Sequence, residues 1–331
     1  MIDFREFMKS AEETVANHYL GNGAFSRWTS QNKQNTRSLG VNEYSCADAV
    51  NILYTLNKLP ERHSERIKLA QAIQALQNPQ TGLFSEGTHD PFHTTAHCIA
   101  ALELLDAHLL HPLTDMLPLT EHDKLMEFME KQPWEEEPCL TSHRVAALYA
   151  ALVINGDADD EWQDAYFKWL WDNTDENTGL LRTGHIDYGK TQPFQYLVGT
   201  FHYMFNFEYK HLPMNYPKPM IDTCIQFYDD SVNPTFGKKA AFEEMDWIYC
   251  INRAMRQTDY RYKDCKERLK RFEKEYSDYL LSLDFKTDDN LGDLHQLFGT
   301  LCGIAEMQSA LPGTIRTDKP LRLVLDRRPF I

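Results

Sequence analysis

The chain has 331 residues, of which 42% are hydrophobic, and its 34 Lys and Arg residues against 49 Asp and Glu residues give a formal net charge of −15 at pH 7. This acidic balance, with no basic stripe, argues against binding to nucleic acid or to an anionic lipid surface. No run of about 18 uncharged apolar residues occurs, and residues 1–20 lack the apolar stretch of a secretory signal, so the sequence predicts neither a membrane span nor export.

The cysteines do not form an obvious disulfide framework. There are seven, an odd number, and they are scattered along the chain without tight pairs: Cys46, Cys98, Cys139, Cys224, Cys250, Cys265 and Cys302. Reduced thiols in such a pattern are typical of a cytoplasmic protein. We therefore predict a cytoplasmic location.

Polar turns with a glycine recur along the chain. "QNPQTGLF" at residues 77–84 is repeated as "DENTGLLRTGH" at 175–185, with weaker copies at 231–240 and 286–296. A helix rich in small and apolar residues follows each turn. The helices of this kind recur at intervals of about 50 residues, the size of a helix hairpin repeat.

Two kinds of helix are predicted to alternate. Six are apolar nearly all round and are expected to be buried: residues 42–56, 91–105, 142–154, 193–205, 242–255 and 293–307. Between them lie amphipathic helices with one charged face, for example residues 64–77, 121–132, 160–173, 218–230 and 262–283. Six inner and about six outer helices predict an all-α fold, a single (α/α)6 toroid over residues 1–331 with a short extended tail at 318–331.

The segment "QNPQTGLFSEGTHDPFHTTAHCIAALELL", residues 77–105, resembles the superfamily of α/α toroids with terpenoid-cyclase (squalene-cyclase) and protein-prenyltransferase repeats. It looks like their Gln–Gly–aromatic turn followed by an inner helix with threonines in its first turns. The resemblance covers most of the chain as a repeat pattern, but it is strong at only one or two repeats. Carbohydrate-active toroids share this architecture, so the resemblance implies a fold more than a chemistry.

Polar residues occupy the first turn of every predicted inner helix. Aligning the six helices puts these residues at matching positions: Glu43 or Tyr44, His93, His143, Gln195, Glu243 or Glu244, and His295. The far ends of the same helices are apolar, which predicts a cup with a polar mouth and a closed floor that Phe201, His202 and Phe205 could border. The alternative is that these residues only cap and solvate helix starts.

Histidines and carboxylates at one level suit proton transfer near neutral pH. The predicted catalytic residues are His93, His143, Glu243, Asp246 and His295. The predicted substrate-binding residues are Glu43, Tyr44, Phe92, His97, Arg144, Gln195, Tyr196, Glu244, Trp247 and Asp293. Aromatic faces beside hydrogen-bonding groups favour sugars, so we expect a lyase, epimerase or hydrolase acting on a small-molecule or oligosaccharide substrate. Arg144 could hold the carboxylate of an acidic sugar or form a surface salt bridge.

Two other functions remain open. The resemblance implies terpenoid cyclisation or prenyl transfer, and "DADD" at 157–160 matches the Asp-x-Asp-Asp proton donor of such cyclases. It opens an amphipathic outer helix, however, where carboxylates favour the helix dipole and are expected to act as caps. A non-catalytic binding scaffold is the second alternative. The sequence leaves the oligomeric state open.

A metal site is a third chemical option. His93 and His97 lie four residues apart on one predicted helix, so both rings could face one Zn²⁺ ion. A third ligand could come from His89, Cys98, Asp246 or His143. An isolated His-x-x-x-His pair is common without a metal, so no cofactor is predicted beyond this pair.

Overall fold

A computed structural model describes residues 1–182, 192–233 and 235–328. In these residues the chain is mostly helical, as the sequence predicts. The helices are α1 (Arg5–Asn17), α2 (Glu43–Thr55), α3 (His63–Gln74), α4 (Pro91–Leu104), α5 (His122–Glu130), α6 (Pro138–Asn155), α7 (Asp160–Asp172), α8 (Pro193–Tyr209), α9 (Pro217–Asp229), α10 (Glu243–Gln257), α11 (Tyr262–Ser282) and α12 (Leu294–Ala310). The strands are β1 (Ile2–Asp3), β2 (Tyr19–Gly21), β3 (Ala24–Phe25) and β4 (Ile315–Arg316).

The even-numbered helices are buried on nearly all sides, and the odd-numbered helices keep charged faces in solvent. Helix α2 packs against α4, α4 against α6, α6 against α8, α8 against α10, α10 against α12, and α12 against α2. These contacts form a closed cycle that begins and ends at α2. The odd-numbered helices pack on the even ones from outside, as α9 does on α10 and α3 on α2.

Side chains placed at helix starts explain where several helices begin. Asn42, Asp90 and Asp293 cap α2, α4 and α12, each accepting a hydrogen bond from a backbone N–H of the first turn. Asp159 of the "DADD" motif caps α7 in the same way, accepting from the N–H of Trp162 at 2.8 Å. The predicted capping role of this motif is confirmed.

The polar turns are a structural repeat. In three of them an Asn or Asp side chain accepts a hydrogen bond from the backbone N–H three residues later: Asn78 from Thr81, Asp175 from Thr178, and Asp288 from Leu291. The first two turns are tied to the next even-numbered helix by a threonine hydroxyl. Thr95 accepts from the N–H of Phe84 at 2.9 Å, and Thr200 accepts from that of Leu181 at 3.0 Å. Residues 183–185 of the second motif lie outside the described residues.

The segment after α12 lies against the start of the chain. β4 pairs in parallel with β1, with Ile2 opposite Ile315. Within the predicted tail, residues 318–323 form neither helix nor strand, and Val324–Asp326 form a short 3-10 turn. Val324, Leu325 and Arg328 are buried, and residues 329–331 lie outside the described part. No helix among the described residues is long and apolar enough to cross a membrane.

Candidate active site

A cavity of about 280 Å³ opens among the N-terminal turns of the even-numbered helices. Five imidazoles line it: His89, His93, His143, His202 and His295. Two carboxyl groups, two side-chain amides and two phenylalanines share the wall: Glu243, Asp246, Gln195, Gln296, Phe201 and Phe242. Helices α4, α6, α8, α10 and α12 all contribute, so the cavity depends on how these helix ends meet.

One wall is built on a buried carboxylate of α2. Asp48 Oδ1 lies 2.8 Å from His97 Nε2 and 3.2 Å from His295 Nδ1, and all three residues are buried. Burial opposes the ionisation of Asp48, but the two imidazoles outweigh it and hold the pKa of this carboxyl below its usual value. Asp48 is therefore a carboxylate that accepts one N–H from each ring.

His295 presents an unprotonated nitrogen at the cavity wall. Burial lowers the pKa of His295 to about 4, so the ring is neutral at physiological pH. A neutral imidazole carries a single N–H, and the contact with Asp48 assigns it to Nδ1. The lone pair is then on Nε2, which is the arrangement of an oriented general base.

The carboxyl group of Asp246 differs from that of Asp48, because its surroundings favour the protonated form. Burial raises its pKa well above the usual value, and the neighbouring carboxyls of Glu243 and Glu244 raise it further. Its Oδ1 makes no hydrogen bond with any other described residue. Burial therefore favours the protonated form of Asp246, and one cavity holds both a neutral imidazole and a carboxyl group that can act as an acid.

Three imidazoles from three successive even-numbered helices meet on another side of the cavity. One ring nitrogen each of His93, His143 and His202 lies within 4.8 Å of the others. Burial lowers the pKa of His202 to about 4. Burial, reinforced by the neighbouring imidazoles, also holds the pKa values of His93 and His143 well below the usual value.

Surrounding groups hold these three rings. Tyr44 of α2 hydrogen-bonds to His93 Nδ1 through its hydroxyl. His202 Nδ1 lies 3.0 Å from the carbonyl oxygen of Val198, and Cys139 Sγ lies 3.5 Å from His143 Nε2. Each ring therefore has a contact that limits its rotation.

Tyr44 is the centre of an aromatic stack behind the wall. Its ring stacks on those of His89 at 4.3 Å and His97 at 4.9 Å between centroids. Burial raises its pKa well above the usual value, so the phenol stays protonated. The Arg27 guanidinium lies 5.9 Å from the Tyr44 ring and pairs with both carboxylate oxygens of Asp293.

All five predicted catalytic residues line this cavity. His93, His143, Glu243, Asp246 and His295 line it, as does Gln195 from the predicted binding set. Tyr44 and His97 lie behind the wall, in contact with it. Asp293 caps α12 and accepts from the N–H of His295 at 2.9 Å, so it acts on the wall through the backbone.

The other predicted binding residues have contacts elsewhere. The guanidinium of Arg144 pairs with the carboxylate of Asp90 at 2.8 Å. Of the two roles that the sequence allowed for Arg144, the structure therefore has the surface salt bridge. The remaining side chains do not line the cavity: Phe92 packs on Phe128, Tyr196 donates to the carbonyl of Glu135, Trp247 donates to the carbonyl of Cys224, Glu244 accepts from the N–H of Gly237, and Glu43 is partly exposed. Trp247 packs among the rings of Tyr228, Phe236 and Phe272.

The proposed zinc pair is divided between two groups of side chains. Among the described residues, the potential ligand atom of His93 lies close to those of His143 and His202, whereas that of His97 lies close to those of Asp48 and His295. The two histidines share a helix face, but Tyr44 stacks against both rings, at 5.9 Å from His93 and 4.9 Å from His97.

Sequence reasoning missed Asp48 and Arg27. Asp48 lies four residues after Tyr44 in α2, so it shares the face that points to the ring of helix starts. A carboxylate inside an otherwise apolar helix was the available signal, because such a group needs a partner. Arg27 lies in the segment before α2, where no periodic pattern indicates its position.

No protein-family model, curated protein or solved structure matches the chain. The geometry of the site therefore carries the functional inference.

Proposed function

We propose that the protein is an (α/α)6 toroid whose cavity catalyses proton transfer on a carbohydrate, as an epimerase or a lyase. The observation that carries this proposal is that one cavity holds an oriented, neutral imidazole and a buried carboxyl group whose protonated form is favoured. His295 is the base and Asp246 is the acid. The cycle of contacts among the even-numbered helices supports the toroid.

The step that fits these groups removes a proton from a carbon next to a sugar carbonyl. His295 Nε2 takes the proton, the C–H electron pair moves into a carbon–carbon double bond, and the carbonyl oxygen receives the proton of Asp246. If the enediol turns over in the cavity, the imidazolium of His295 returns its proton to the opposite face of the carbon while the enol oxygen gives its proton back to Asp246, and the product is the epimer. In the lyase reaction the enol oxygen gives its proton back to Asp246, the carbonyl re-forms, and the group expelled from the next carbon takes the proton of His295. Asp48 stabilises the imidazolium that forms at His295.

The cavity favours a single neutral sugar ring. Its volume of about 280 Å³ lies just below the roughly 300–1,000 Å³ usual for ligand pockets. Gln195 and Gln296 offer amides to hydroxyl groups, and Phe242 offers an apolar face. None of the described lining residues is Lys or Arg, which disfavours uronic acids and sugar phosphates. We therefore propose a neutral aldose, ketose or terminal sugar residue as substrate.

A hydrocarbon substrate is less well supported. A cyclase cavity needs an apolar, aromatic floor, whereas Asp48 and His97 are polar groups buried behind this wall, and Asp159 of "DADD" is a helix cap. The cysteines bear on where the protein acts. All seven are free and all but Cys139 are buried, which supports the proposal that the protein acts in a reducing compartment such as the cytoplasm.

The first experiment is a thermal-shift panel of neutral sugars, uronic acids, sugar phosphates and prenyl diphosphates. A ligand that binds the folded state raises the midpoint of unfolding, and we expect this from a neutral sugar. The same sugar is then incubated with the protein in D₂O, and proton transfer is measured by NMR as deuterium incorporated at the carbon next to the carbonyl.

Two variants separate catalysis from binding. Asp246→Asn keeps the shape of the acid but cannot supply its proton, and Asp48→Asn removes the negative charge that orients His295 and stabilises its imidazolium. Both should retain the sugar-induced shift and lose at least about 100-fold in turnover, the usual contribution of a positioned acid or base. A shift with prenyl diphosphates alone would contradict the proposal, and a sugar shift without exchange would leave a binding scaffold.

A further inference from the structure

We propose that His93, His143 and His202 form a binding site for a divalent transition-metal ion, of which Zn²⁺ fits best. The three residues come from α4, α6 and α8, and each offers one nitrogen within 4.8 Å of the other two. A metal site of this kind would exist whether or not the cavity accepts a sugar.

The spacing suits a single ion. Adjacent rings have centroids 4.4 Å apart for His93 and His143, and 4.7 Å apart for His143 and His202. A tetrahedral Zn²⁺ ion lies about 2.0–2.1 Å from each imidazole nitrogen. Coordination would therefore require the three nitrogens, which lie within 4.8 Å of one another, to move closer together by rotation of their side chains.

The surrounding hydrogen bonds are of the type that orients metal ligands. The carbonyl oxygen of Val198, four residues before His202 on the same helix, accepts the Nδ1–H of that ring and leaves the lone pair on Nε2. Such a donor–acceptor contact behind a ligating histidine fixes its tautomer and raises its basicity. Tyr44 holds His93 in a similar way from α2.

The site also has room on its open side. All three histidines line the cavity, so an ion held by them would face the substrate space with a coordination position for water or a substrate oxygen. Three neutral imidazoles do not compensate the charge of the ion. The carboxyl group of Glu243 in the same wall could do so.

The second group of potential ligands, Asp48, His97 and His295, is a poorer metal site. Asp48 already accepts hydrogen bonds from His97 at 2.8 Å and from His295 at 3.2 Å. An ion bound there would have to replace both of these contacts in a buried position. His97 therefore provides a matched control for the site at His143 and His202.

The test is the metal content of the purified chain. The protein is stripped with EDTA, incubated with Zn²⁺, separated from free metal by gel filtration and analysed by inductively coupled plasma mass spectrometry. We expect about one Zn²⁺ per chain, because three histidines and an open position are a complete catalytic zinc set. His143→Gln and His202→Gln should each reduce the retained zinc at least tenfold, and His97→Gln should leave it unchanged.

The visible spectrum of the Co²⁺-substituted wild-type protein is a second measurement, which does not depend on whether the variants fold. Intense tetrahedral bands that Zn²⁺ displaces would support the site. The proposal is overturned by a chain that retains no metal, by a weak octahedral spectrum, or by zinc that is lost in His97→Gln but kept in His143→Gln.

Discussion

Glu244 is a fully buried carboxyl group beside the acidic start of α10. One oxygen accepts a hydrogen bond from the N–H of Gly237 at 2.9 Å, and the other makes none with any described residue. Burial raises the pKa of Glu244 from 4.5 to about 7. A carboxyl whose folded pKa is raised binds its proton more tightly in the folded state, so its contribution to stability is complete below pH 4.5 and is lost as the pH rises to about 7.

We predict that Glu244→Gln removes the loss of stability that the ionisation of Glu244 causes as the pH rises. The amide oxygen can still accept from Gly237, but it does not ionise. Relative to the variant, the wild type should lose about 2–3 kcal/mol of unfolding free energy between pH 5 and pH 8, since one pKa unit corresponds to about 1.4 kcal/mol. Urea unfolding of both proteins at the two pH values measures the difference. Parallel pH profiles would show that Glu244 ionises normally.

The glycine of the first polar turn is constrained by its neighbours. Gly82 has a φ of 76°, and an added Cβ would lie 1.9 Å from the carbonyl oxygen of Pro112. Gly87 has a similar φ of 85°, but nothing lies within 4 Å of the position of its Cβ. The two residues therefore separate backbone strain from steric contact.

Gly82→Ala should destabilise the protein more than Gly87→Ala. Left-handed backbone costs an alanine about 1–2 kcal/mol at either position, and the contact with Pro112 adds to this cost only at Gly82. Thermal unfolding monitored by circular dichroism measures both variants. Equal midpoints would mean that the turn moves away from Pro112 at little cost.

The helices could be predicted from the sequence because apolar periodicity and polar turns are local signals. The even-numbered helices begin within four residues of their predicted starts, since Asn42, Asp90 and Asp293 mark them chemically. The two groups of histidines could not be predicted, because they depend on which ring nitrogens meet across helices. Trp247 shows the same limit, since its position in the first turns of α10 did not reveal that it packs toward α9 and α11.

An ion-pair cluster ties the helices to the last described segment at their C-terminal ends, away from the cavity. The buried guanidinium of Arg253 in α10 lies 2.6 Å from Glu306 of α12 and 2.6 Å from Asp326. Asn252 donates to the second oxygen of Glu306 at 2.9 Å. The cluster therefore connects α10, α12 and the Val324–Asp326 turn.

Arg253→Met should destabilise the whole molecule by about 3–5 kcal/mol, because it leaves the buried carboxylate of Glu306 without its charged partner. The double variant Arg253→Met with Glu306→Leu should recover most of this loss, since neither charge then remains buried. Urea unfolding of the wild type, both single variants and the double variant gives the coupling free energy. Additive effects of the two substitutions would contradict this account.

The contact between α2 and α12 has a consequence for synthesis of the chain. Both flanks of α2 are covered in the folded protein, one by α4 and the other by α12. During translation α4 follows soon after α2, but α12 begins only at Leu294. Until then the nascent protein carries an apolar flank on α2 without its partner, a surface that aggregation or a chaperone can reach. Completion of the core is therefore a late event for this chain, however early its first hairpins form.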